Sequence, residues 1–244
     1  MASTVASQSE VEGSDMADDG SVPVQQAWPM TVGVTLSPLY DQALNFARVL
    51  HNAQRRKSNG APYLSHLLEV SGLVLEYGGD EAQAIAALLH DAIEDQATAF
   101  GGAELLRDII AQKFGPTVLP LVELCSDCEG HPKPAWIWRK QRHLVRLSQA
   151  SAADCLVPAC DKLHNLRCLN AELRAGSAPF RNLKAGPAQY LQHFTALLEL
   201  FEQRGLAVAA EIRHELGELR RLLSQRRFGD EQPADCGYAR CAMR

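Results

Sequence analysis

Residues 85–95, Ile-Ala-Ala-Leu-Leu-His-Asp-Ala-Ile-Glu-Asp, constrain this chain more than any other stretch. Ile85, Leu88, Leu89 and Ala92 recur at the spacing of an amphipathic helix with one apolar face. His90, Asp91, Glu94 and Asp95 fall on the other side. In a regular helix Glu94 lies one turn beyond His90, and Asp95 one turn beyond Asp91, so three carboxylates crowd together. They also precede a helix end expected between Gln96 and Gly102, where the macrodipole disfavours negative charge. Each penalty is only about a few tenths of a kcal/mol, but nothing nearby in sequence offsets it. A cation would. The plain alternative is a solvated polar face, and this stretch alone does not choose.

Helical periodicity runs through the rest of the chain. Ser37-Pro38 offers an N-cap with proline at the first helical position, and a helix follows to His51. Residues 52–63, NAQRRKSNGAPY, read as a basic loop. A helix from Leu64 ends at Gly78-Gly79, and Asp80 caps the next one, which carries the opening stretch. Further helices are expected over 103–113, 117–126, 136–149 and 152–174, with Pro158 kinking the last or marking its effective start. Gly176 to Pro187 is irregular, and two amphipathic helices cover roughly 188–203 and 206–227. No strand alternation and no repeat emerge. The expected fold is all-α, one helical domain over 37–227, between a disordered N-terminal tail (1–36) and a C-terminal tail (228–244).

Composition narrows the function classes. The 244 residues are 46% hydrophobic and 22% charged, as in an ordinary globular protein. A formal charge of −5 leaves no basic footprint for nucleic acid, so a small anionic ligand needs a local basic cluster. No signal peptide opens the chain, and no apolar run approaches the roughly 18 residues of a membrane span. The seven cysteines read as reduced thiols of a cytoplasmic protein, Cys125 and Cys128 included, since one CxxC is half a zinc site.

Three other places could carry chemistry. Asp161 and Asn165 sit one turn apart in ACDKLHNLRCL, where Asp161 can accept a metal and the Asn165 amide can donate and accept hydrogen bonds. His66 stands near a helix start, where histidine is commonly a surface or capping residue. Arg55, Arg56, Lys57 and Ser58 form either a solvated charge run or a phosphate site, since arginine forks bind phosphate and stack on bases.

In combination these positions resemble a known pattern. His66, the His90-Asp91 pair and Asp161 are similar to the H…HD…D arrangement of the metal-dependent HD phosphohydrolases. Residues 56–66, RKSNGAPYLSH, resemble the RKSGEPYIxH segment of RelA/SpoT-type alarmone hydrolase domains, and residues 87–95, ALLHDAIED, resemble their ALLHDxxED. Phe114-Gly115 with Val118 and Leu121-Val122-Glu123 is similar to FGxxVxxLVxGVT, and residues 161–167, DKLHNLR, resemble DRLHNMR. The match spans about 39–205 in order, with no room for a synthetase domain.

The resemblance implies a helical, Mn2+-dependent hydrolase that removes the 3′-pyrophosphate of guanosine or adenosine tetra- and pentaphosphates, with a nucleotide as partner and neither nucleic acid nor membrane. It assigns the metal to His66, His90, Asp91 and Asp161, acid–base work to Glu94 and Asp95, base and phosphates to Arg56, Lys57 and Ser58, and sugar or base to Asn165. Two imidazoles and two carboxylates suit Mn or Fe better than an all-oxygen Mg site. Another nucleotide such as NADPH, or a sensing protein without turnover, is the alternative. Gln96 and Cys168 stand where the family has Thr, Leu124-Cys125-Ser126 replaces GVT and Lys162 replaces Arg; these bear on substrate rather than chemistry. Arg139, Lys140 and Arg142, beside Trp136 and Trp138, form either an outer phosphate clamp or a solvated face. His51, in the helix before the basic loop, is either structural or near the site, His164 reads as pointing away from the site, and His131, His143, His193 and His214 as lacking partners at ligand spacing.

Overall fold

The computed structural model describes residues 33–57, 59–127 and 133–225. The expected tails at 1–36 and 228–244 lie almost wholly outside the described residues, as do Ser58, Cys128 and His131. The helices are α1 (Pro38–Leu50), α2 (Leu64–Glu76), α3 (Glu81–Leu89), α4 (Ala103–Phe114), α5 (Val118–Cys125), α6 (Trp136–Gln149), α7 (Leu156–Arg174), α8 (Pro187–Gln203) and α9 (Ala209–Gln225). No strand is present among the described residues; Arg55 and Pro62 make one isolated bridge. None of these helices is long and apolar enough to cross a membrane.

Local chemistry sets the boundaries. Ser37 accepts from the Leu39 amide at 3.1 Å and Pro38 supplies a preset φ, which starts α1. Gly78, at φ 83°, ends α2, and the Gly79 amide reaches back to the Val74 carbonyl at 2.8 Å. A Cβ on Gly79 would meet Val74 Cγ1 at 2.5 Å, so only glycine fits this turn. Asp80 then forms a capping box with Gln83, bonded in both directions at 2.8 and 2.9 Å. Pro158 sits in the first turn of α7, where its missing N–H costs nothing, so it marks the helix start and makes no kink.

α3 is the central rod. Ala84 to Leu89 are fully buried, and α1, α2, α5 and α7 all pack on it. Small residues at Ala84, Ala86 and Ala87 let these neighbours approach. α7 is buried along most of its length between α2 and α9, and α8 closes the other side against α6 and α9. The opening stretch departs from one regular helix. The α-helix ends at Leu89, Asp91 takes bridge-region dihedrals (φ −101°, ψ 3°), and Ala92–Gln96 form a single π turn. The wider turn still buries Ala92 and Ile93, while His90 is turned inward at 1% exposure. The polar face of the sequence pattern is therefore a lining rather than a solvated surface.

Candidate active site

Three helices deliver the donors. His66 comes from the first turn of α2, His90 and Asp91 from the C-terminal end of α3, and Asp161 from α7. His66 Nε2 lies 3.3 Å from His90 Nε2 and 3.2 Å from Asp161 Oδ1. Asp91 Oδ2 is 3.0 Å from His90 Nε2 and 3.8 Å from His66 Nε2. His66, His90 and Asp161 form a compact set that could hold a metal ion, and Asp91 borders it.

Each donor is held from behind. His90 Nδ1 is 2.7 Å from the Ala87 carbonyl oxygen and donates its proton there, which leaves Nε2 facing the cluster. His66 Nδ1 lies 2.7 Å from His164 Nδ1. This corrects the expectation that His164 points elsewhere: one helical turn past Asp161 the face of α7 still looks toward α2. The Tyr63 hydroxyl donates to Asp91 Oδ2, and its ring stacks on His51 at 5.4 Å. Asn165 Nδ2 donates to Asp161 Oδ1 at 2.6 Å, and Lys162 pairs with the other oxygen. Second contacts of this kind are what orient metal ligands.

The electrostatics suit a cation. Burial lowers the His66 pKa. Burial acts the same way on His90, but the carboxylates of Asp91 and Asp161 outweigh it and push its pKa up to about 9. Asp91 and Asp161 resist the upward pull of burial because His90 beside the first, and Lys162 and His66 beside the second, hold both well below the usual carboxylate range. Two neutralisable imidazoles and two ionised carboxylates converging on one point form a mixed N/O donor set for a divalent ion. The residues fit the group.

Glu94 and Asp95 stand at the mouth. Lys133 Nζ contacts Glu94 at 2.8 Å and Asp95 at 3.8 Å, and Gln54 donates to Asp95 at 2.8 Å. Burial, then the neighbouring Asp127 and Asp91, raise the Glu94 pKa; burial and Asp91 raise that of Asp95. A carboxyl of raised pKa can exchange a proton under mild conditions. Gln96, in place of the family's Thr, joins His51 and Gln54 behind Asp95.

Beyond them opens a cavity of about 450 Å3. Arg56, Lys57, Lys133 and Arg139 line it, together with Lys140, Lys162 and Lys184. Seven basic groups face four carboxylates there, so a chain of net charge −5 carries its positive surplus in this cleft. Arg56 and Lys57 are placed by a loop pinned through Arg56 N to Ala61 O and Tyr63 N to Gln54 O, at 2.9 and 3.0 Å. Arg56 donates to Asn165 at 3.0 Å, which joins two residues 109 positions apart. Arg139 and Lys140 reach the cavity through Asp127, while Arg142 lies 5.9 Å over the exposed Trp138 ring and faces away. Of the three basic residues, Arg139 and Lys140 line the cavity and Arg142 does not. Tyr190 and His193 of α8 and Glu172 of α7 also line the cavity; their spacing alone gave no sign of it, since which faces of α7 and α8 meet the site is set by tertiary packing.

Comparisons with known proteins agree with this geometry. An HD domain matches residues 43–181. Mouse guanosine-3′,5′-bis(diphosphate) 3′-pyrophosphohydrolase MESH1 is 34% identical over 182 residues, 68% of this chain and 95% of that protein. Human MESH1 is 33% identical over 180 residues, again 68% and 95%. A solved structure of a metazoan orthologue of SpoT that hydrolyses ppGpp superposes with a TM-score of 0.57 at 26% identity, over 77% of this chain and 97% of that one. With its histidines, aspartates and basic cleft in this arrangement, the chain belongs to the HD-domain family, in the branch of the MESH1 3′-pyrophosphohydrolases.

Proposed function

We propose that this protein is a Mn2+-dependent 3′-pyrophosphohydrolase of guanosine or adenosine tetra- and pentaphosphates, yielding pyrophosphate and the nucleoside 5′-di- or triphosphate. The observation that carries the reading is the convergence of His66, His90, Asp91 and Asp161 beside two acids of raised pKa, Glu94 and Asp95, which themselves line a cationic cleft. The catalytic domain is 37–227, working in the cytoplasm.

The four ligands would hold the ion, which lowers the pKa of water and polarises a phosphate oxygen when bound. Tyr63 and Asn165 keep Asp91 and Asp161 aimed inward. Glu94 and Asp95 take the proton of the attacking water and return one to the departing pyrophosphate. Lys133, Arg139 and Lys140 receive phosphate oxygens, exchanging their protein carboxylates for substrate. Arg56 and Asn165, already bonded to each other, hold the nucleoside, and Lys57, which lines the cavity, takes phosphate with Ser58. Positioning and charge neutralisation supply most of the rate, as phosphoryl transfer requires.

The test is incubation of the full chain with Mn2+ and ppGpp, ppApp or NADPH, with products separated by chromatography. Pyrophosphate release from an alarmone is expected; turnover of NADPH alone would move the protein to another nucleotide class, and no turnover would sink the hydrolase reading. Asp91→Ala should abolish activity. Glu94→Ala should keep the bound metal while lowering kcat roughly 10²- to 10⁴-fold; loss of the metal instead refutes its role.

A further inference from the structure

The wall of the cavity formed by α7 carries Asn165, Cys168, Leu169 and Glu172 on one helical face, continuing the line from Asp161. Glu172 is 7% exposed, and neither of its carboxylate oxygens has a hydrogen-bond partner. The other cavity carboxylates are matched among the described residues: Glu94 by Lys133 at 2.8 Å, Asp95 by Gln54 at 2.8 Å, Asp127 by Lys140 at 2.6 Å. A buried carboxylate without donors is strongly unfavourable by itself, so its complement is to be sought in what fills the cavity.

We propose that Glu172 recognises guanine, and that it is the residue that selects guanine over adenine in the nucleotide bound here. This rests on the alarmone reading above. The guanine edge presents N1–H and the N2 amino group side by side, two donors for two carboxylate oxygens, the same bidentate match that a carboxylate makes with a guanidinium. Adenine presents one amino group beside the N1 lone pair, and that lone pair would face a carboxylate oxygen. Placement agrees. Eleven residues of α7 separate Asp161 from Glu172, about 16 Å at about 1.5 Å per residue, which sets Glu172 on the same wall about three turns beyond the proposed metal ligands, with room between them for phosphates and sugar. Between them Arg56, bonded to Asn165, offers a planar guanidinium to one face of the base, and Leu169 and Leu183 offer apolar contact.

Two variants test the assignment in the full chain. Glu172→Gln keeps the shape but places a donor beside an acceptor, which matches adenine; Glu172→Met keeps the volume, removes the charge and preserves the fold. Two measurements serve: kcat/KM for ppGpp and ppApp with Mn2+, and calorimetric binding of GDP and ADP without metal. The native protein should favour guanine by roughly 5- to 150-fold, the worth of one bidentate base contact. Glu172→Met should erase that ratio, and Glu172→Gln should erase or invert it. An unchanged ratio, or an equal loss for both nucleotides, overturns the assignment. If neither alarmone is turned over but GDP selectivity is present and vanishes in the variants, the substrate reading fails and Glu172 keeps its role. If both alarmones are turned over equally by the native protein, the hydrolase stands and the assignment falls.

Discussion

At His66 the two ring nitrogens have separate tasks. Nε2 faces the cluster, and Nδ1 is 2.7 Å from His164 Nδ1, so with a metal on Nε2 His66 would donate its Nδ1 proton to a neighbour that has to accept it. His164 can accept because burial and the adjacent His66 hold its pKa down to about 3, which keeps it neutral. Its own Nε2 lies 3.5 Å from Cys168 Sγ. His164→Ala should therefore weaken metal binding roughly 10- to 100-fold, the usual cost of losing a second contact behind a ligand. Competition with a chelator measures it, and saturating Mn2+ should restore most of the turnover; unchanged metal affinity would remove His164 from the site. The proposed ligands were candidates in the sequence because each lies in a short motif that resembles one of the family's. His164 and Glu172 were not, because their significance depends on which face of α7 meets α2 and α8, and a single helix has no pattern that states its rotation against others. The Arg56–Asn165 bond illustrates the same limit: both residues were candidates, but their contact is a property of packing.

Among the elements, α3 has the most to hold, with four helices against it and two site residues at its C-terminal end. Its start is fixed by the Asp80–Gln83 capping box, and Gln83 also donates to the Ala153 carbonyl at 2.7 Å, next to the beginning of α7. Asp80→Ala should lower stability by about 1 kcal/mol through the lost cap. Thermal denaturation gives the value, and an unchanged midpoint would show that packing alone fixes the helix start. Helix boundaries were readable to within a few residues, because caps, prolines and glycines are local signals. The π turn at Ala92–Gln96 was not. Its apolar residues Ala92 and Ile93 satisfy a helical period, and the widening comes from the inward turn of His90 against α2 and α7, a tertiary demand on local geometry.

At the scale of the whole molecule, buried neutral imidazoles make stability fall with acid. Burial, with Lys162 and Lys140 nearby, holds the His143 pKa at about 3, whereas an unfolded histidine titrates near 6.5. Between these values the unfolded chain binds a proton that the folded one refuses, so stability is present above about pH 6.5 and is lost as pH falls toward 3. At pH 5 the loss is at most about 2 kcal/mol from this one group. His193, held at about 2 by burial and the same lysines, adds to it, while the raised Glu94 and Asp95 act in the opposite direction. The urea midpoint should therefore drop between pH 7 and pH 5, and His143→Gln, which keeps a donor for the Leu124 carbonyl, should reduce the drop. Equal midpoints at the two pH values would refute the argument. The distribution of the ligands along the chain has a further consequence, for biosynthesis. His66, His90 and Asp91 are translated early, but Asp161 and its partner Lys162 follow some seventy residues later, on a helix that must pack between α2 and α9 before it points inward. A chain that ends before α7 holds at most three of the four proposed donors, so such a ribosome-bound or prematurely terminated product lacks the full set. Loading of an ion there would thereby wait until α7 has been made and has packed between α2 and α9.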